Sequence, residues 1–349
     1  MKSVQPALLT LYADLLQQLQ QVTAPAGSVR TQDVKGKEYL KANFTIGLQR
    51  RTLYIGRATD PEAKRKAVAV QDEMQRAKAR RQTVGLLRRG GIPAPTAELG
   101  RVLEVLALAD LFRKGAVLVG TAAYQCFSPL VGTILPAASM MTQDVDLATA
   151  SLALAAGDGR GAGIDSKGQT GAPGSSPSLE EILQRADPTF AGIPGLTPAA
   201  FPSHFRARSG LMVDVLTPLR SRADPDRMPV PALSAAATPL QHLDWLIDSP
   251  SPAVALYGAG VLVQVPQPAR YAVHKLILAQ KRGPGSVKRQ KDLDQAKALI
   301  DALKQADPFA IEDALEDARG RGERGWRDRI NRSLHQLGLT ELATSHTGR

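Results

Sequence analysis

Three aspartates stand inside short apolar runs, where a carboxylate is costly to bury unless something cationic meets it. Asp144 and Asp146 lie two apart in Thr142-Gln-Asp-Val-Asp-Leu-Ala148, and Asp214 is alone among Leu211, Met212, Val213, Val215 and Leu216. If both runs are strands, Asp144 and Asp146 share one face while Val145 and Leu147 point to the other. Three convergent carboxylates form a hard oxygen site suited to Mg²⁺ or Mn²⁺ held together with substrate phosphates. Two such ions would clamp the attacking and leaving oxygens of an in-line phosphoryl displacement. Upstream, Val117-Leu-Val ends at Gly120-Thr121 and continues into the helix-compatible Ala-Ala-Tyr-Gln-Cys-Phe. A strand, a glycine turn and a helix start leave free backbone N–H groups, so Gly120 and Thr121 are candidate ligands for an anion such as a phosphate.

These residues resemble the DNA polymerase beta-like nucleotidyltransferase superfamily, whose pattern is an apolar strand, Gly-[Gly/Ser/Thr], Asp-x-Asp and a third Asp on a neighbouring strand. More narrowly, the chain is similar to a bacterial group of nucleotidyltransferase-fold proteins in Gly120 to Tyr124, Thr142 to Asp146 and Val265 to Leu276, a likeness running from about Val34 to the 330s. The resemblance implies an α+β fold with a nucleotidyltransferase-type mixed sheet and flanking helices. It also implies transfer of an NMP group, ATP being one possible donor, to an acceptor hydroxyl. Asp144, Asp146 and Asp214 would be both metal ligands and catalytic residues, Asp214 helping to remove the acceptor proton. By analogy with related transferases, a cation on the helix after the core contacts the triphosphate, and Lys275 is the candidate. The step from Gly120 to Asp144 is longer than the superfamily's usual spacing, with Ser128 to Pro136 inserted.

The elements that must position these groups divide into three stretches: a basic helix and β-hairpin module over 1–95, a transferase core over 96–225, and a mainly helical domain over 226–349. In the first, Leu8 to Leu19 recur at helical spacing. Lys37 to Thr45 and Leu48 to Ile55 then flank Ile46-Gly47 as a hairpin, and Asp60-Pro-Glu opens a long helix ending at Gly90-Gly91. Residues 156–178 are dense in Gly, Ser and Pro and are expected to be a disordered insertion. Ser203 to Arg208 reads as a strand in a hairpin with the Asp214 strand. Beyond Pro229 the pattern reads as mainly helical, with a short apolar helix over Leu240 to Ile247, a short strand over Gly260 to Val265, a helix starting at Pro266-Gln-Pro and another at Lys288, with Lys291 and Asp292 candidates for an ion pair to the core.

Charge narrows the partner. The chain carries a formal net charge of +11 over 349 residues, and Arg30 to Arg101 alone holds 17 Lys+Arg against 7 Asp+Glu. That asymmetry points to a polyanion, and Tyr39, Phe44 and Tyr54 interleaved with Lys37, Lys41, Arg50 and Arg51 could stack on bases, making RNA the expected acceptor. Packing of those aromatics within the hairpin is the competing explanation. Acceptor chemistries other than RNA are a protein or a small molecule, as for a toxin, and a non-catalytic RNA- or protein-binding module is the rival from another class. One cysteine, Cys126, excludes an intramolecular disulfide and a cysteine zinc site. With no signal-peptide block and no membrane-length apolar run, a cytoplasmic protein is expected.

Overall fold

The computed structural model describes residues 1–22, 26–149, 177–194, 201–221 and 223–344. The Gly/Ser-rich stretch lies almost wholly outside them. Helix α1 (Pro6–Gln20) buries Tyr12, Leu15 and Leu19. Strands β1 (Ser28–Val34), β2 (Lys37–Ile46) and β3 (Gln49–Arg57) form a separate antiparallel sheet in that order. The hairpin is as expected, but β1 is an additional strand. Helix α2 (Pro61–Arg89) is capped by Asp60, whose Oδ1 accepts from the Glu62 amide at 2.9 Å, and it covers one face of this sheet through Val70 against Ala42 and Phe44.

The core follows with α3 (Ala97–Leu108), β4 (Val117–Val119), the five-residue helix α4 (Gly120–Tyr124), β5 (Asp144–Ala148), α5 (Leu179–Gln184), β6 (His204–Arg206) and β7 (Met212–Pro218). Next come β8 (Ala235–Leu240), β9 (Ser251–Ala255) and β10 (Val261–Val265). Helices α6 (Pro268–Lys281), α7 (Val287–Ala306), α8 (Pro308–Gly320) and α9 (Asp328–Gln336) follow, and a short helix at Thr340–Thr344 closes the described residues.

The central sheet is mixed, which makes the fold α+β. Strand β7 runs parallel to β5 and β8, whereas β4 is antiparallel to β5 and β6 antiparallel to β7. Val145, Leu147, Val213 and Val215 fill its inner face with no exposed surface, each burial contributing about 1.5–3 kcal/mol. The stretch between Gly120 and Asp144 does not separate the two motifs. Phe127, Val131 and Leu135 are core residues, and Thr133 and Ile134 pair with Ser3 and Lys2.

Two expectations beyond Pro229 are corrected. Residues 235–240 form a strand and only Leu243–Leu246 is helical. The alanine-rich 235–237 segment favours a helix by propensity, yet it is buried and paired with residues 228–230, where packing overrides propensity. Likewise 251–255 is a strand, paired with β10. That pair also receives α1: Tyr12, Leu15 and Leu19 share a core with Val254 and Leu256, and the Val254 amide donates to the Tyr12 hydroxyl at 2.9 Å. At the start of α6, Trp245 and Trp326 meet edge to face with centroids 5.5 Å apart, and the Arg270 guanidinium lies 5.2 Å from the Trp245 ring.

Candidate active site

Register gathers the acids. In the parallel β5–β7 pair Asp146 faces Asp214 directly, and Asp144 faces Met212, so all three carboxylates project from one side of the sheet. The period of two that sends Val145 and Leu147 into the core sends Asp144 and Asp146 the opposite way. On the other flank of β7, Asp214 is paired with His204, whose Nδ1 lies 2.7 Å from Asp214 Oδ1. His204 was not singled out in the sequence, although the expected Ser203–Arg208 hairpin carried it. A cross-strand histidine opposite a lone Asp was the available signal.

Gly120 closes the third side. It has φ +63°, and a Cβ there would collide with Asp146 Oδ2. Only glycine combines that left-handed backbone with so close an approach to the carboxylate. Its carbonyl accepts from the Tyr271 hydroxyl at 2.9 Å, and the same hydroxyl lies 3.0 Å from Gln295 Oε1. Gln295 Nε2 in turn donates to Thr121 Oγ1 at 3.4 Å. The Gly-Thr turn is thus held from α6 and α7, with Thr121 buried.

Lys275 is also buried. Its Nζ donates to Asp292 Oδ1 at 2.7 Å and lies 5.2 Å from the Tyr271 ring centroid, while Arg282 Nε donates to Asp292 Oδ2 at 2.6 Å. Asp292 therefore links α7 to α6 with two cations on one carboxylate. Lys291 instead donates to the Met141 carbonyl at 2.6 Å. Exposed Lys288, at the start of α7, joins Lys275 in the charge field around Asp146. In the sequence Lys288 marks only the start of that helix.

The electrostatics follow from this crowding. Burial, then repulsion from Asp214, pushes the Asp146 carboxyl up to about 6; Lys275 and Lys288 pull the other way, and Asp144 adds to the rise. The residues alone leave negative charge at Asp146 under-compensated. An all-carboxylate oxygen set suits a hard divalent cation in kind. Among the described residues, however, no three of His, Cys, Asp and Glu stand close enough together to hold an ion. The acids share a face without closing around a centre. Cys126 is buried, its thiol pushed up to about 12 by burial, which suits packing and not nucleophilic chemistry.

The basic stretch does not offer all its cations. Arg80 is buried in an ion pair with Glu73, and Arg51 shares the α2-facing side of the sheet with Phe44, its register partner. Arg50 is exposed on the opposite side.

Residues 97–320, more than half of the chain, match the family model described as nucleotidyltransferase. The chain belongs to that nucleotidyltransferase family. A search of the curated proteins finds no match. The crystal structure of an antigenic nucleotidyltransferase-like protein from Paracoccidioides brasiliensis is similar at 17% identity over 70% of this chain and 94% of that one, with a TM-score of 0.30, too loose a likeness to bear on the site. No helix among the described residues is long and apolar enough to cross a membrane.

Proposed function

We propose that the protein transfers an NMP group from an NTP to an acceptor hydroxyl, with RNA as the acceptor. The observation that carries the reading is the placement of Asp144, Asp146 and Asp214 on one face, with Gly120 packed against Asp146, in a chain of the nucleotidyltransferase family. In the reaction the acceptor oxygen bonds to the α-phosphorus, the bond from that phosphorus to the bridging oxygen breaks, and pyrophosphate leaves. Asp144, Asp146 and Asp214 would hold Mg²⁺ or Mn²⁺ once drawn together around it, and the ion would supply charge stabilisation at the attacking and leaving oxygens. His204 holds one oxygen of Asp214, so the acceptor proton would pass to the other. Backbone amides of Gly120 and Thr121 are the proposed phosphate ligands. Lys275 is engaged by Asp292, so it would act on the triphosphate through its field, and the exposed Lys288 is better placed for direct contact.

The acceptor assignment rests on the concentration of positive charge over 30–101. A single cysteine, which leaves no intramolecular disulfide to form, supports a cytoplasmic setting. The three-part division at 95 and 225 and the likeness to the narrower bacterial group stand with this proposal. Incubation with each labelled NTP, Mg²⁺ or Mn²⁺ and total cellular RNA tests it. Label should pass to RNA with wild type and be lost with Asp144→Asn or Asp146→Asn. Undiminished labelling by both variants would overturn the catalytic assignment; label confined to protein or small molecules would replace the acceptor.

A further inference from the structure

Sheet β1–β2–β3 has two unlike faces. Val29, Leu53, Ile55, Ala42 and Phe44 point toward α2 and form a small core with Val70. The opposite face is open. Strand alternation and register place Arg30 and Tyr54 on either side of Lys41, Arg57 beside Tyr39, and Arg50 beside Thr45 on that face. Tyr39 and Tyr54 lie with ring centroids 5.8 Å apart and planes tilted by 50°, and Tyr54 remains 54% exposed. These tyrosines therefore do not pack the hairpin onto its neighbours; Phe44 does that from the other side.

The charge on this face is unbalanced. Arg30 and Lys41 are direct cross-strand partners, an arrangement that destabilises a sheet. No acidic side chain shares the face among the described residues, and no ion pair there engages Arg30, Lys41, Arg50 or Arg57. Four uncompensated cations around an aromatic pair, Tyr54 exposed and Tyr39 half-buried, match a chain of phosphates with unstacked bases. In a duplex the bases are already stacked on one another and cannot lie on a tyrosine ring.

The sheet is joined to the core that carries the acidic site at the β2–β3 turn, where Ile46 also packs against that core. The β2–β3 turn meets the end of α5, where the Leu48 amide donates to the Arg185 carbonyl at 3.1 Å and Gly47 lies too close to that carbonyl for any Cβ. From α5, Glu180 accepts from the Gly192 amide at 3.0 Å, and the segment 191–192 pairs with β6, which carries His204. These contacts tie the sheet to the strand that carries His204, beside Asp214.

We infer that the open face of β1–β2–β3 binds single-stranded nucleic acid, with bases stacked on Tyr39 and Tyr54 and phosphates met by Arg30, Lys41, Arg50 and Arg57. This deepens the proposed RNA acceptor and rests on that reading only in taking the bound strand to be the acceptor. The test measures binding of a labelled mixed-sequence RNA oligonucleotide to the full chain, without NTP or metal, over a salt series. Wild type and Asp144→Asn should bind alike, with a log–log salt slope of about −3, from about −0.7 for each of four phosphates. Tyr39→Ala and Tyr54→Ala should each weaken binding about 10-fold, and Tyr→Phe at either position should not. Arg30→Glu with Lys41→Glu should flatten the salt slope while leaving the protein's affinity for NTP unchanged.

A DNA strand of the same sequence, the RNA duplex and anionic phosphatidylserine vesicles complete the experiment. Equal binding of the DNA strand supports the surface and leaves sugar choice to the active site. Preference for duplex, tightest binding to vesicles, or affinity unmoved by the tyrosine and charge variants would overturn the inference. Failure of binding with labelling intact refutes the surface alone, and binding without any NMP transfer refutes the catalytic reading alone.

Discussion

Replacing Asp146 by Asn should make the metal-free protein more stable while abolishing transfer. In the fold the Asp146 carboxyl is pushed up from 3.8 to about 6, first by burial and then by Asp214. A raised acid pKa means that the folded state keeps a proton which the unfolded chain has released, so stability falls as pH rises from about 4 to about 6 and stays lower above it. At about 1.36 kcal/mol per pH unit, the charged carboxylate costs the fold about 3 kcal/mol at pH 8. Unfolding entropy of about 2.1 cal/mol/K per residue turns this into about 4 °C of Tm for a chain of 349 residues. Asparagine keeps the shape and removes the charge. In EDTA, thermal melts at pH 8 should therefore place Asp146→Asn about 4 °C above wild type, and the gap should close near pH 4. Adding Mg²⁺ should raise the wild type preferentially, because a ligand binding only the folded state stabilises it by mass action. A variant melting at or below wild type at pH 8 in EDTA would refute the account of crowded charge.

The remaining expectations concern residues around the site. Asp292→Ala strands buried Lys275 without its carboxylate and should cost about 3–5 kcal/mol in urea unfolding, whereas Lys288→Ala should leave stability within about 0.5 kcal/mol and raise the KM for NTP. Gly120→Ala forces a side chain into Asp146 at a left-handed backbone position; loss of at least about 1 kcal/mol together with loss of transfer is expected, and a fully active variant would contradict the close approach. Gly47→Ala should lift the hairpin from the Arg185 carbonyl, weakening RNA labelling without changing the KM for NTP, as a kinetic comparison of the two substrates would reveal.

The parts of the site legible in the sequence are those governed by local periodicity. Asp144 and Asp146 announce a shared face because strands alternate, and Asp214 stands out because a lone carboxylate among Val and Leu needs a reason. Pairings between distant segments were not legible. His204 acquires its role from the β6–β7 register, and Lys275 from Asp292 seventeen positions downstream on another helix. The available charge was misjudged for the same reason: Arg51 and Arg80 count equally with Arg50 in a charge balance, but the fold turns Arg51 toward α2 and buries Arg80 against Glu73. Strand β8 is not legible because alanine reads as a helix former, and its pairing with residues 228–230 and with β7 makes it a strand.

The two tryptophans of this chain are both in the cluster where Trp245 meets Trp326, which has a spectroscopic consequence. Intrinsic tryptophan emission reports the layer of C-terminal helices and is blind to the Tyr39–Tyr54 sheet. An unfolding curve followed by fluorescence alone would record the release of Trp245 from the core and miss an earlier loss of the basic sheet, whose own hydrophobic cluster has only three buried members. Far-UV circular dichroism sees both regions. A circular dichroism transition that begins below the fluorescence transition would mark the sheet as a separate, weaker cooperative unit, whereas coincident transitions would mean that its junction at Arg185 is strong enough to make the chain unfold as one.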